Sequence, residues 1–288
     1  MKKFAVIDVG SNSVRLMFVA DGKVLYKRLN TTRLGEGIAR SPFLKEEAIV
    51  RSAVAVADFY AQAKAEGAET VRAFATAAVR SAKNGKTFVD KVKTLCALDV
   101  EIISGETEAE LGILGALGNA DGAVLDIGGA STELVVKKGG AIVYKKSVNV
   151  GVVRLKDMCD RDETALRQAT EAAVKEFGNV PADVCLYAIG GTATTIGALA
   201  AGMEKYESNK VTGTVLTLET SQAMTKKLLS LSVAETATLP CVSQGREDIL
   251  AGGAVWLSAI MENLGFTRLI VSDRDNLEGY AVKNGLMN

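Results

Sequence analysis

The sequence predicts an α/β protein built from two similar domains, and three observations lead to this fold class. Residues 5–27 (AVIDVGSNSVRLMFVADGKVLYK) align without a gap with residues 123–145 (AVLDIGGASTELVVKKGGAIVYK), so that Ala5 matches Ala123. Strand-like and helix-periodic segments alternate after each copy, which is typical of α/β domains. Glycine, asparagine and aspartate cluster at residues 118–122, directly before the second copy, as is common at a domain boundary.

Each copy of the repeat predicts three antiparallel strands joined by tight glycine turns. In the first copy these strands are expected over roughly Phe4–Val9, Val14–Ala20 and Lys23–Leu29. Chance similarity between hairpins would not keep polar residues in register. Identical pairs include Asp8/Asp126, Gly10/Gly128, Ser13/Ser131, Leu16/Leu134, Gly22/Gly140 and Tyr26/Tyr144.

The segments after each copy complete the two predicted domains. In the first half, helices are expected near Lys45–Glu66, Thr87–Leu98 and Glu106–Leu117, and strands near Thr70–Ala75 and Val100–Ile103. In the second half, helices are expected near Glu163–Phe177, Thr194–Gly202, Glu219–Ser230 and Arg246–Leu264, and strands near Val184–Ile189 and Arg268–Val271. We therefore predict domains at 1–120 and 121–288. With only three prolines and no low-complexity linker, the two domains are expected to face each other across a cleft.

The composition excludes several classes of protein. Thirty-four basic and 34 acidic residues give no net charge, which argues against a general nucleic-acid coat or a polybasic membrane binder. The chain contains no histidine, so catalysis by Ser-His-Asp or Cys-His groups and histidine-ligated zinc are excluded. Acid–base chemistry must therefore come from carboxylates, lysine, tyrosine or water.

The cysteines and the N-terminus both indicate a soluble cytoplasmic protein. No two of the four cysteines have CxxC spacing, so free buried thiols in a reducing compartment are expected at Cys96, Cys159, Cys185 and Cys241. The apolar run Phe4–Val9 is short and contains Asp8, which does not suit a signal peptide or a membrane span.

The glycine-rich turns of the two copies are candidate phosphate-binding loops. Glycine lets backbone N–H groups approach an anion, hydroxyl and amide side chains add donors, and nearby carboxylates suit Mg²⁺. Two such loops that face each other would hold a phosphate chain from both sides; the alternative is ordinary hairpin turns closed by side-chain hydrogen bonds. The first loop carries Asp8, Gly10, Ser11, Asn12 and Ser13, and the second carries Asp126, Gly128, Gly129, Ser131 and Thr132.

A third glycine loop, residues 190–195 (GGTATT), follows a strand and begins a helix, as anion-binding loops do, although threonine N-capping is the alternative. It matches neither the Walker A nor the G-x-G-x-x-G pattern. The acidic first turn in residues 103–110 (ISGETEAE) suits the helix dipole, but it could also supply a water-activating carboxylate. Arg33 and Arg80 are candidate phosphate ligands or solvated arginines, and residues 245–248 (GRED) are interpreted as structural.

These motifs together resemble the exopolyphosphatase/guanosine-pentaphosphate phosphohydrolase (Ppx/GppA) family of the actin-like superfamily. The resemblance implies two duplicated, ribonuclease H-like domains across a cleft and Mg²⁺- or Mn²⁺-dependent hydrolysis of a terminal phosphoanhydride. It also implies a homodimer, and that roughly the last 10 to 15 residues pack back on the first domain. The matching stretches, spread over nearly the whole chain, are DVGSNSVRL (8–16), RLGEGI (33–38), ATAAVRSAKNG (75–85), ISGETEAELG (103–112), DIGGASTEL (126–134), AIGGTATTIGAL (188–199), GREDILAGGAVWL (245–257) and VSDRDNLEGY (271–280).

The resemblance also implies roles for individual residues. Glu108 matches the general base, and Asp126 and Glu133 match an acidic pair tied to the metal and to catalysis. Together with the carboxylates beside the glycine-rich turns, the resemblance predicts Asp8, Asp126 and Glu133 as metal-associated residues. The predicted phosphate-binding residues are Ser11, Asn12, Ser13, Arg80, Gly128, Gly129, Ser131, Thr132, Gly191 and Thr192.

Three motifs depart from the family pattern. Ala130 replaces the third glycine of the usual DIGGGST, SDRDNLEG replaces the usual SDxGLREG, and VTG at residues 211–213 replaces the usual VHG. We also expect a short form without the histidine-rich C-terminal region of longer members. We expect an exopolyphosphatase acting on inorganic polyphosphate. The alternatives are hydrolysis of guanosine pentaphosphate, an actin-like phosphotransferase, and a sensor that binds polyphosphate or the alarmone without turnover.

Overall fold

A computed structural model describes residues 2–287, which fold into two mixed β-sheets flanked by helices. The strands are β1 (Lys3–Val9), β2 (Ser13–Ala20), β3 (Lys23–Thr31), β4 (Thr70–Ala75), β5 (Val100–Ile102), β6 (Gly122–Ile127), β7 (Thr132–Lys138), β8 (Ala141–Val148), β9 (Leu186–Ile189), β10 (Val215–Thr217) and β11 (Arg268–Val271). The helices are α1 (Glu46–Ala65), α2 (Ala77–Ser81), α3 (Gly85–Cys96), α4 (Gly105–Leu117), α5 (Val152–Cys159), α6 (Glu163–Val174), α7 (Gly190–Ala200), α8 (Ser208–Val211), α9 (Leu218–Ser230), α10 (Val233–Thr238), α11 (Leu250–Asn263) and α12 (Asn276–Lys283).

The two sheets share one topology, which confirms the predicted α/β fold with two similar halves. The first sheet has the order β3-β2-β1-β4-β5, and the second has the matching order β8-β7-β6-β9-β11 with β10 added at its edge. In both, the first three strands are antiparallel and the following strands pair in parallel. A β-bulge even lies at the equivalent place, between Phe18 and Val19 and between Val136 and Lys137.

Several predicted element boundaries are wrong. The third glycine loop begins a helix as predicted, but α7 starts at Gly190 rather than near Thr194. The last long helix was expected from Arg246, but residues 246–249 form a turn and α11 begins at Leu250. Helix α5 and helix α12 were not predicted. Each of these segments is short or is fixed by contacts with distant residues, so its local pattern is weak.

The last helix of each half packs against the sheet of the other half. Helix α4 contacts β6, β7 and β8, whereas α12 contacts β1. The rings of Phe74 and Tyr280 stack with their centroids 4.7 Å apart, within a buried cluster that joins both halves. Glycines allow α4 and α12 to touch backbone to backbone, since a Cβ on Gly115 or Gly279 would overlap the facing carbonyl. The predicted boundary near residue 120 stays a prediction.

The cysteines and the surface complete the description of the fold. All four thiols are free, but the expected burial is wrong: Cys185 is exposed and the other three are half-buried. Among residues 2–287, no helix combines the length and the apolar composition needed to cross a membrane.

Candidate active site

The glycine loops of the two repeats meet at a polar cavity of about 100 Å³. They approach so closely that a Cβ on Gly129 would lie 2.7 Å from the Cβ of Ser11. The loops are built alike, because Gly10 N–H donates to Ser13 O and Gly128 N–H donates to Ser131 O, both at 3.0 Å. The predicted residues that line the cavity are Asp8, Ser11, Asn12, Ser13, Glu108, Asp126, Gly128, Gly129, Ser131, Gly191 and Thr192.

The repeat places an aspartate at the same strand end in both halves, but its cross-strand partner differs. In the first half Asp8 lies opposite Arg15 and forms an ion pair with it. In the second half Asp126 lies opposite Glu133, so two acids are neighbours. Directly opposed residues on adjacent strands are close enough to interact strongly. One half therefore carries a compensated carboxylate and the other an uncompensated acidic pair.

Burial and mutual repulsion perturb this acidic group. Burial together with the charge of neighbouring acids raises the pKa of Asp126 to about 6 and that of Glu133 to about 7. Burial and the nearby Glu133 also hold the pKa of Glu108 well above its usual range, against the opposing effect of Arg80. Clusters of carboxylates with raised pKa are most common at catalytic sites, where a stronger base or a cation is needed.

Glu108 is held by its helix start and by Arg80. Ser104 caps α4 by accepting the Thr107 N–H at 3.0 Å, which places Glu108 on the first turn, where it is only 5 % exposed. Arg80 Nη1 donates to Glu108 Oε2 at 2.9 Å and to Ile103 O at 2.9 Å. Arg80 is not among the cavity-lining residues, so in the structure it orients the carboxylate rather than facing the predicted phosphate position.

Two other predicted residues lie behind the cavity wall. Glu133 Oε1 accepts hydrogen bonds from Ser131 Oγ at 2.7 Å and Ser147 Oγ at 2.6 Å. The Thr132 hydroxyl donates to Val150 O at 2.6 Å and accepts from Trp256 Nε1 at 2.8 Å. A phosphate contact from the Thr132 side chain is therefore a correction to the sequence interpretation, because both of its hydrogen-bonding functions are used in the core.

Arg246 is a cavity residue that the sequence interpretation missed. The turn before α11 points its guanidinium at the third glycine loop, where a Cβ on Gly191 would overlap it. Its contact with Thr195 Oγ1 is long, 3.5 Å, and its Nε has no partner in the described part of the chain. Burial and the charge of Arg15 lower the pKa of Arg246 to about 10. A buried arginine without a carboxylate partner is well suited to bind an anion.

The rest of the segment around Arg246 has the structural role that was predicted. Arg33 Nη2 pairs with Asp248 Oδ1 at 3.1 Å, and Thr31 Oγ1 donates to Gln244 O at 2.8 Å. The sequence signal that could have identified Arg246 is the glycine directly before it. In the structure Gly245 has a positive φ of 83°, as part of the turn that precedes α11.

The last strand-to-helix turn also contributes to the cavity, where the sequence departs from the family pattern. Asn276 Nδ2 donates to Asp126 Oδ2 at 2.7 Å. On the other side of Asp126, a Cβ on Gly190 would lie 2.6 Å from Oδ1, so only glycine leaves room for this carboxylate.

The methyl group of Ala130 is fully buried and packs into the core of the first domain. The structure thus accommodates the substitution of the third glycine at the domain interface.

The predicted metal-associated residues supply the carboxylate oxygens that a hard cation prefers, but they do not converge into one ligand cluster. Within residues 2–287, no three acidic or cysteine side chains converge to hold a metal by themselves, because Arg15 holds Asp8 and two serines hold Glu133. Three buried oxygens nevertheless lack partners among the described residues: Asp8 Oδ1, Glu133 Oε2 and Ser11 Oγ. Mg²⁺ is commonly bound by one or two carboxylates, water and substrate phosphates, which agrees with this arrangement.

The raised pKa values predict that the protein loses stability as the pH rises. Glu133 is raised from 4.5 to about 7 and Asp126 from 3.8 to about 6, so the folded state binds more protons than the unfolded state between these limits. The stabilisation is complete below the unfolded pKa values and is lost as the pH rises through about 7. We expect the thermal midpoint, measured with EDTA, to decrease as the pH is raised from 5 to 8. The corresponding loss of unfolding free energy is about 1 to 3 kcal/mol.

The Glu133→Gln variant tests this prediction, since glutamine can still accept from Ser131 and Ser147. Its thermal midpoint should depend less on pH than that of the wild type. The control is Glu106→Gln, because the Glu106 side chain is 76 % exposed. Equal pH dependence in Glu133→Gln and the wild type would show that Glu133 does not titrate in this range.

Comparison with known proteins finds a family model that matches nearly the whole chain. The model described as "Ppx/GppA phosphatase family" matches residues 5–286. Exopolyphosphatase 2 of Mycobacterium tuberculosis is 30% identical over 98% of this chain and 98% of its own length. The guanosine-5'-triphosphate,3'-diphosphate pyrophosphatase of Photobacterium profundum is 28% identical over 99% of this chain, which spans 58% of that protein.

Solved structures of similar proteins agree. The Aquifex aeolicus member of the Ppx/GppA family superposes with a TM-score of 0.80 at 29% identity, over 99% of this chain and 98% of that one. An exopolyphosphatase from Cytophaga hutchinsonii superposes with a TM-score of 0.88 at 25% identity, over 99% of both chains.

Proposed function

Because this chain belongs to the Ppx/GppA phosphatase family, we propose that it hydrolyses a terminal phosphoanhydride bond and that its substrate is inorganic polyphosphate. The observation that carries the proposal is the pair of facing glycine loops around a cavity that also holds Glu108 and the unpaired Arg246. The loops and Arg246 suit a phosphate chain. A histidine-free site must take its base from carboxylates, lysine, tyrosine or water, and Glu108 supplies the carboxylate.

In this proposal Glu108 activates the attacking water. Arg80 binds Oε2, so we assign the water to Oε1, which would receive its proton as the oxygen attacks the terminal phosphorus. A carboxylate with a raised pKa is a stronger base than an ordinary one. The phosphoanhydride bond then breaks, and the shortened chain leaves with the bridging oxygen. The N–H groups and hydroxyls of the loops, with Arg246, would stabilise the charge on the transferred phosphoryl oxygens.

A divalent cation, Mg²⁺ or Mn²⁺, completes the proposal. Asp8 and Asp126 line the cavity and would hold it, with water and phosphate oxygens as the other ligands. When bound, such a cation neutralises phosphate oxygens and orients the chain. The partnerless Asp8 Oδ1 and the raised pKa of Asp126 both support a need for positive charge here.

A second cavity supports guanosine pentaphosphate as the second candidate substrate. It measures about 290 Å³ and shares Arg15, Gly191 and Arg246 with the phosphate cavity, while Leu29, Leu277 and Tyr206 give it apolar and aromatic walls. A nucleobase would find packing surfaces here with its phosphates directed at the two arginines. Polyphosphate makes no use of such walls.

The experiment that tests the proposal is phosphate release with Mg²⁺ from medium-chain polyphosphate and, in parallel, from guanosine pentaphosphate. We expect release from both, with polyphosphate the faster substrate. Faster release from the nucleotide would instead favour the second candidate. Binding of both compounds without phosphate release at any divalent metal would contradict the proposal and favour a sensor. Consumption of ATP that depends on glucose would point to a phosphotransferase. The homodimer and the cytoplasmic location stay predictions.

A further inference from the structure

A buried ion network around Arg15 involves the start of α12. This is where the sequence departs from the usual SDxGLREG. Asp275, which stands where that pattern has glycine, forms an ion pair with Arg15 Nη1 through Oδ2. The same guanidinium binds Asp8 Oδ2 through Nε and Nη2. The side chain of Asp275 is 6 % exposed, whereas that of Arg15 is 22 % exposed and lines both cavities.

The fold fixes Asp275 at this position. Its Oδ1 caps α12 by accepting the Leu277 N–H at 2.9 Å, and its own N–H donates to Glu278 Oε2 at 3.0 Å, which completes a capping box. The carbonyl of Asp275 rests on Gly115 of α4, the helix that also carries Glu108. The carboxylate therefore cannot turn away from Arg15 without breaking the start of α12.

The buried charges around Arg15 include more acids than bases, which disfavours the binding of an anion. Three carboxylates, those of Asp8, Asp275 and Glu278, face two cations, Arg15 and Lys27, so the network contains one more acid than base. Although burial acts to raise it, Arg15 and Lys27 hold the pKa of Asp275 below its ordinary value, so this carboxylate is charged at neutral pH. Within residues 2–287, by contrast, Arg246 has no carboxylate partner. The two arginines of the cavity thus differ in what they offer to phosphate.

We propose that Asp275 is a specificity-determining residue that neutralises Arg15 and limits the affinity of the cavity for highly charged phosphate chains. This inference rests on the proposed function only in that a phosphate anion must enter the cavity. A negative charge close to a bound polyanion opposes binding in proportion to the charge on that anion. With Asp275 in place, Arg246 and the loop N–H groups supply most of the attraction, and Arg15 contributes little.

The test replaces Asp275 with asparagine, which is nearly isosteric and is itself a good N-cap. The binding probe is inorganic tripolyphosphate, titrated by calorimetry in EDTA so that no turnover occurs. We expect the dissociation constant of Asp275→Asn to fall roughly tenfold, and the gain to shrink as salt is raised. In the hydrolysis assay, KM should fall while kcat stays within about twofold.

The matched control is Asp162→Asn, because Asp162 caps α6 by the same hydrogen bond, accepting the Ala165 N–H at 2.7 Å. It should change neither the dissociation constant nor KM. Asp275→Gly, which restores the residue of the usual pattern, provides a second variant if asparagine disturbs folding, and it should also tighten binding.

The outcomes separate this inference from the proposed function. Unchanged or weaker binding in both Asp275 variants would overturn the role of Asp275, whether or not the wild type releases phosphate. Tighter binding without any phosphate release would support Asp275 and contradict the proposed hydrolysis. No binding of tripolyphosphate by any variant in EDTA would overturn the role of Asp275, while phosphate release with Mg²⁺ would still decide the proposed function.

Discussion

Replacing Glu108 with glutamine is expected to lower kcat for phosphate release about 10²- to 10⁴-fold, the range for the loss of a positioned general base. Glutamine keeps the size of the side chain and still accepts from Arg80, but it cannot take a proton from water. KM should change little, because in our proposal Glu108 acts on the water and not on the chain. The measurement is steady-state phosphate release from polyphosphate with Mg²⁺.

The control for this variant is Glu106→Gln, two residues earlier on the same helix. The Glu106 carboxylate pairs with Lys145 near the surface and is largely exposed, so the variant should keep wild-type kcat. Similar folding of the two variants, checked by thermal unfolding, makes the comparison valid. A loss below about tenfold in Glu108→Gln would mean that another group activates the water.

Replacing Arg246 with glutamine is expected to have the second largest effect, with opposite signs on activity and stability. Removing a donor that faces developing charge lowers kcat/KM about 10²- to 10³-fold. The same change removes a buried cation that lacks a carboxylate partner and is repelled by Arg15, so the thermal midpoint should rise. The measurements are phosphate release and thermal unfolding of the same preparation.

The control for Arg246 is Arg167→Gln, an equal change on the surface of α6. Arg167 pairs with Glu163 one helical turn away, and both side chains are about half exposed, so neither activity nor stability should change measurably. A variant at Arg246 that loses stability together with activity would show that the guanidinium holds the structure rather than the substrate.

The sequence determined those parts of the site that depend on local order along the chain. The repeat of residues 5–27 in residues 123–145 was enough to predict two matching three-stranded units, and the shared bulge confirms that the two copies fold alike. A strand end followed by a glycine turn fixes where Asp8, Asp126 and the loop hydroxyls must lie. The Ser104 cap likewise makes the start of α4, and with it Glu108, readable from a few neighbouring residues.

Only the tertiary structure decided which of these groups are free and which are occupied. Arg246 lies in a turn where the sequence predicts a helix start, and Arg80, a predicted phosphate ligand, binds Glu108 instead. Asn276 and Asp275 reach Asp126 and Arg15 across 150 and 260 residues of chain. A local pattern records which face of an element is apolar, but it carries no information on pairings over such separations. The charge balance of the cavity comes from those pairings, because burial makes each carboxylate or guanidinium depend on whichever partner the fold places beside it.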